Sequence, residues 1–169
     1  MVAQQQFNHP NIHDLRLACI NNKFIGAINR IPARVEADGK HTVGQLIELE
    51  NTSGKRGQPY YAPLAYIDTQ QASGFLGSEI SKVYPVGQQV QVMSVANYGA
   101  GGEIHDVTDQ IPAWMIKSAE DISRVMQLAV CGVDFMTNII PESTMTKEQI
   151  ESVVIEVNKA PALAIHDMP

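Results

Sequence analysis

The residues with the clearest chemical content lie in the last third of the chain, in Gly132-Val133-Asp134-Phe135 and in Val154-Ile155-Glu156-Val157-Asn158-Lys159-Ala160-Pro161. Both runs read as strands, over 129–136 and 153–157. Alternate side chains of a strand share a face, so Glu156 and Asn158 project together, and Asp134 on a neighbouring antiparallel strand can meet them there. Two carboxylates and an amide are hard oxygen donors. They suit Mg2+, which keeps several waters and completes its shell with nucleotide phosphates. The same spacing also describes the solvent-facing positions of an edge strand, because Glu-x-Asn is short and common.

The elements that must position these groups can be read from punctuation and periodicity. Residues 14–28 predict two strands around a turn at Asn21-Asn22-Lys23, a hairpin in which Asp14 and Arg16 share one face and Leu15 and Leu17 the other. Thr42 is placed to cap a short helix through Val43, Leu46, Ile47 and Leu49. The stretch 51–63 reads as a loop, 90–95 as a strand, and Asn97-Tyr98-Gly99-Ala100-Gly101-Gly102 as a glycine-rich loop. Asp109 reads as the start signal of a helix over 112–127, with Trp114, Ile116, Ala119, Ile122, Val125 and Met126 at helical spacing. Trp114, Ile122 and Val125 are expected to pack it on the sheet. The order is sheet, loop, helix, sheet, without βαβ alternation: an α+β class with a mainly antiparallel sheet and packed helices.

Composition limits the function classes. The chain has 169 residues, 44% hydrophobic and 18% charged, enough apolar surface for one domain with its own core. Twelve Lys and Arg against 18 Asp and Glu give a net charge of −6, which argues against a nucleic-acid backbone as partner. No signal peptide and no membrane-spanning run is evident, so a soluble, cytoplasmic protein is expected, with no membrane partner. The two cysteines, Cys19 and Cys131, are read as small buried hydrophobes. His9, His13, His41 and His105 are not spaced as a metal cluster, and Glu142, Thr144 and Thr146 read as a solvated loop.

Ile155-Glu156-Val157-Asn158 with Pro161 and His166, preceded by Cys131-Gly132-Val133-Asp134, resembles the C-terminal signature of the ATP-grasp ligases. The resemblance is to the branch containing cyanophycin synthetase and the bifunctional glutamate–cysteine ligase/glutathione synthetase. It continues backwards through Asn97 with Gly101-Gly102, Asp106-Val107-Thr108-Asp109, Asp38-Gly39-Lys40-His41-Thr42, Arg30-Ile31-Pro32-Ala33 and Asp14-Leu15-Arg16. Several motifs in the right order are more specific than any one alone.

The resemblance implies that residues 1–169 are a single C-terminal ATP-grasp lobe. It implies ATP and Mg2+ or Mn2+ as cofactors, and a ligase that phosphorylates a carboxylate and lets an amine attack the acylphosphate. Asp134, Glu156 and Asn158 would be the metal ligands. Gln4, Gln5, Gln6 and Phe7 would border the adenine, with Asp14 near the ribose. Arg16 and Arg30 would be the catalytic cations facing the phosphates. Asn97, Gly101 and Gly102 would form a substrate loop, glycine serving where backbone comes close to a ligand. His166 matches the histidine that closes the signature. Met93 stands where the branch usually carries an arginine, and a thioether replaces neither its charge nor its donors. The resemblance further implies a partner N-terminal lobe outside this chain, a small amino-acid or peptide substrate, and room for self-association into a homo-oligomer. An alternative reading is a non-catalytic module that keeps the fold and binds nucleotide or supports association.

Overall fold

The structure is a computed structural model that describes residues 7–58, 62 and 64–163. Its contacts divide into two compact units, one formed by residues 7–29 and 105–163, the other by the described residues of Arg30–Ile104.

The first unit is organised on β1 (His13–Ile20), β2 (Lys23–Ile31), β7 (Glu103–Asp106), β8 (Val130–Thr137) and β9 (Ser152–Asn158), in the sheet order β7-β2-β1-β8-β9. The unit boundary falls within β2 and β7. Asn21 and Asn22, with φ of 49° and 62°, make the turn between β1 and β2, and Lys23, expected within it, already opens β2. Asparagine tolerates that left-handed backbone, which matches the twist of a hairpin. β1 and β9 both run antiparallel to β8, with Leu17 opposite Val133 and Val133 opposite Val157. The sheet is therefore antiparallel in these pairs, as the sequence predicted.

One face of this sheet is apolar. Leu15, Leu17, Cys19, Cys131, Val133 and Phe135 are buried there with Met115 and Ala119 of helix α3 (Ala113–Val125). Full burial of a side chain such as Met115 stabilises by about 1.5–3 kcal/mol. The helix differs from its expected form in two ways. Val125 does not pack; it is 80% exposed. At 100° per residue it stands about 80° round the helix from Met115, between Ile122 and Trp114, which both pack; Val125 is the last residue of the helix, and that terminal place rather than its face sets it apart. Asp109 does not start the helix: it lies in a 3-10 turn over Thr108–Gln110, and Pro112 holds the N-cap position without a side-chain hydrogen bond. Met126 is the C-cap residue and is exposed because the helix ends before it.

The second unit has its own core, Ala33, Val35, Val43, Leu46, Ile47, Ile67, Val90, Val92 and Met93 among others. It contains β3 (Arg34–Glu36) paired antiparallel with β6 (Gln89–Gln91), α1 (Val43–Thr52), the parallel pair β4 (Arg56–Gly57) and β5 (Leu64–Ala65), and α2 (Thr69–Leu76). Thr42 caps α1 as expected. Its hydroxyl accepts from the Gln45 backbone N–H while the Gln45 side chain accepts from the Thr42 N–H, a capping box. Leu49 points outward, 51% exposed. Helix α2, capped by the Asp68 carboxylate, lies in a stretch whose sequence gave little signal. Of the strand read over 90–95, Val90 and Gln91 lie in β6, which begins at Gln89.

Candidate functional site

The face of the sheet opposite α3 is polar, and register explains why. Arg16 stands opposite Asp134, Asp134 opposite Glu156, and Gly132 opposite Asn158. Directly opposed residues of antiparallel strands share a face, and Asp14 lies on it two residues before Arg16. Asp14, Arg16, Asp134, Glu156 and Asn158 thus occupy one face of three adjacent strands. A β-bulge between Asp134 and Phe135 on β8 and their partners on β9 keeps Glu156 opposite Asp134 while Phe135 pairs with Val154.

Arg16 and Asp134 form the centre of this face. Arg16 Nε donates to Asp134 Oδ1 and Nη2 to Oδ2, each at 2.7 Å, the two-pronged geometry that fits a guanidinium to a carboxylate. The Asp134 side chain is 2% exposed and that of Arg16 13%. The Asn158 amide nitrogen donates to Asp134 Oδ2 at 3.2 Å. The hydrogen bond to Asp134 holds the Arg16 guanidinium above its ordinary pKa, and the nearby charges of Asp134, Asp14 and Glu156 add to that shift. Glu156 is exposed, Asn158 and Asp14 half-buried.

Two carboxylates and an amide on one face match a hard cation in ligand type and in number, since Mg2+ takes few protein ligands beside water and phosphate. Asp134 is at the same time held by Arg16, so a cation and the guanidinium address one carboxylate. Among the described residues, no group of three or more His, Cys, Asp or Glu is arranged to hold a metal ion. The set here is two carboxylates plus an asparagine.

The other expected site residues belong to different surroundings. Phe7 is half-buried and precedes β1, while Gln4, Gln5, Gln6 and His166 lie outside the described residues. Arg30, half-buried near the end of β2, belongs to the second unit. So do Asn97, Gly101 and Gly102. Asn97 caps the 3-10 turn Tyr98–Ala100 by accepting from the Gly99 N–H, and its carbonyl accepts from the Ala100 and Gly102 N–H groups. Gly101 has φ +97°, and a Cβ on it would stand 2.8 Å from the Ile67 Cα; one on Gly102 would stand 2.9 Å from the Asn97 carbonyl oxygen. The close approach that glycine permits here is to this chain's own backbone. Met93 is 2% exposed in the second core.

Sequence reading missed Arg56. It is 5% exposed, and its Nη1 donates to the carbonyls of Gly101 at 2.9 Å and Ala65 at 3.0 Å, with Glu50 3.4 Å from Nε. The guanidinium ties the glycine-rich loop to β5. Its position inside a turn-rich run, 51–63, gave no hint of burial.

Over most of its length the chain is homologous to ATP-grasp ligases. It is 31% identical over 160 residues to a cyanophycin synthetase of Crocosphaera subtropica, covering 92% of this chain and 18% of that protein. It is 29% identical over 160 residues to the glutathione biosynthesis bifunctional protein GshAB of Listeria innocua, covering 92% and 20%. Among solved structures, a bifunctional glutathione synthetase from Pasteurella multocida superposes with TM-score 0.65 and 28% identity over 91% of this chain and 21% of that one. No protein-family model matches the chain. The chain spans about a fifth of the length of the curated relatives it matches. No helix among the described residues is long and apolar enough to cross a membrane.

Proposed function

We propose that this chain is the C-terminal, nucleotide- and metal-binding lobe of an ATP-dependent carboxylate–amine ligase. The reading is supported above all by the single sheet face that carries Asp134, Glu156 and Asn158 beside Arg16, in a chain homologous to cyanophycin and glutathione synthetases. In this reading Asp134, Glu156 and the Asn158 amide oxygen hold Mg2+ or Mn2+, which supplies charge neutralisation to the phosphates of ATP. Asp14 orients the ribose. Arg16, kept in place by Asp134, presents guanidinium N–H groups to the phosphoryl group and to the acylphosphate oxygens. Transfer of a group that stays anionic throughout depends on such preorganised cations more than on proton transfer. Arg30, Asn97, Gly101 and Gly102, which belong to the second unit, are by the same resemblance assigned to contacts with substrate. Ligation itself needs the N-terminal lobe that such enzymes place over the β- and γ-phosphates, so the isolated chain is expected to bind Mn·ATP weakly without forming an amide.

A second reading is favoured by one observation. Both oxygens of Asp134 accept from Arg16, as a purely structural ion pair would have it. Under that reading the chain is a non-catalytic ATP-grasp module. Electron paramagnetic resonance titration of Mn2+ into the purified chain with ATP separates the two. Glu156→Gln should weaken Mn·ATP binding about tenfold or more if Glu156 is a ligand. Binding indifferent to that substitution, or absent at millimolar ATP, refutes the ligase-lobe reading.

A further inference from the structure

Gly132 lies in the middle of β8, where glycine is unfavourable and usually marks a close approach of something else. Its backbone does not demand glycine, since its φ is not among the positive values. What approaches is Arg16. A Cβ at position 132 would stand 3.1 Å from Arg16 Cδ, 3.3 Å from Arg16 Nε and 3.2 Å from Pro161 Cβ. All three are tighter than ordinary van der Waals contact. Neither neighbour yields easily: the proline ring is stiff, and Arg16 is anchored by two 2.7 Å bonds to Asp134.

We propose that Gly132 is a positioning residue. Its bare Cα is a slot through which the Arg16 side chain crosses β8. The slot fixes the guanidinium edge-on against Asp134 through Nε and Nη2, leaving Nη1 for an anionic group. That the anion is a phosphoryl or acylphosphate oxygen rests on the proposed function; the slot does not. Ala18, opposite Gly132 on β1, is small and buried, so β1 adds no bulky side chain beside the Arg16 stem at this register. Arginine's planar fork makes the orientation consequential, because turning it away from Asp134 misdirects every remaining donor.

The test uses the 169-residue chain and Gly132→Ala. The Arg16 Nε–H resonance, assigned by its loss in Arg16→Lys, should be protected from solvent exchange in the parent and lose that protection in Gly132→Ala. Mn·ATP affinity should fall about tenfold, the loss of one charge-assisted contact. An unchanged Nε–H resonance in Gly132→Ala overturns the proposal. Should Gly132→Ala unfold the parent, the same substitution in an Arg16→Ala/Asp134→Ala background decides. There only Pro161 still crowds the new Cβ, and Gly132→Ala should lower the melting temperature of that background by clearly less than that of the parent; an equal loss in both backgrounds overturns the proposal. A shifted Nε–H resonance with Mn·ATP binding unaltered in every variant supports the slot and refutes the nucleotide-binding function instead.

Discussion

Arg16→Met leaves the Asp134 carboxylate in a site where only 2% of its side chain meets solvent. Removing one partner of a buried ion pair costs about 3–5 kcal/mol, because the other charge stays desolvated. Arg16 is itself 13% exposed, which lets water reach the vacated position and places the expected cost near the lower end, about 3 kcal/mol. For a chain of this size that is a fall of about 6–12 °C in melting temperature. Asp134→Leu should cost less, about 1–2 kcal/mol, since the flexible arginine can turn its head to water while its stem stays packed. The double variant Arg16→Met/Asp134→Leu removes both charges, and apolar replacement of a buried pair is commonly neutral, so it should lie within about 1 kcal/mol of the parent. The cycle therefore predicts a coupling of about 3 kcal/mol or more between the two positions. Urea unfolding followed by circular dichroism at pH 7 measures all four corners. If Arg16→Met costs less than about 1 kcal/mol, or if the double variant loses the sum of the singles, then the pair is not the desolvated contact argued from its geometry.

Two further outcomes follow from other parts of the chain. Gly101→Ala puts a side chain at φ +97° with its Cβ 2.8 Å from the Ile67 Cα, so it should cost about 3 kcal/mol in urea unfolding; a loss under about 1 kcal/mol would mean the loop shifts freely. Burial pushes the Cys19 thiol up to about 12 from 9.0, with Cys131 adding to it. The unfolded thiol therefore gives up its proton near pH 9 while the folded one keeps it, so stability should fall as pH rises from about 9 towards 12, and Cys19→Ala should flatten that slope. An identical slope in the variant removes the thiol as its cause.

What the sequence determined by itself was local. Alternation put Asp14 and Arg16 on one face of β1, and Glu156 and Asn158 on one face of β9, because side-chain direction along a strand follows from the pleat alone. The Asn21-Asn22 turn and the Thr42 cap are likewise interactions between residues at most three apart, and both were legible, although the reciprocal Gln45 bond was not read. Motif order carried the family resemblance without any structure. Tertiary structure decided which of these local pieces meet. Arg16 and Asp134 are 118 residues apart, and nothing in either segment states that β8 lies between β1 and β9 or which residues stand opposite. Without that register Arg16 reads as a cation awaiting phosphate; with it, Arg16 is first the counter-ion of Asp134, threaded past Gly132. Val125 was misread as core because spacing finds a stripe but not how far along the helix that stripe is covered, which the partner sheet sets. Arg56 was missed because burial of a charge depends on distant carbonyls converging on it. The glycines of the Asn97–Gly102 loop could be seen in the sequence, but only packing shows that Ile67 and the Asn97 carbonyl occupy the space their missing side chains leave.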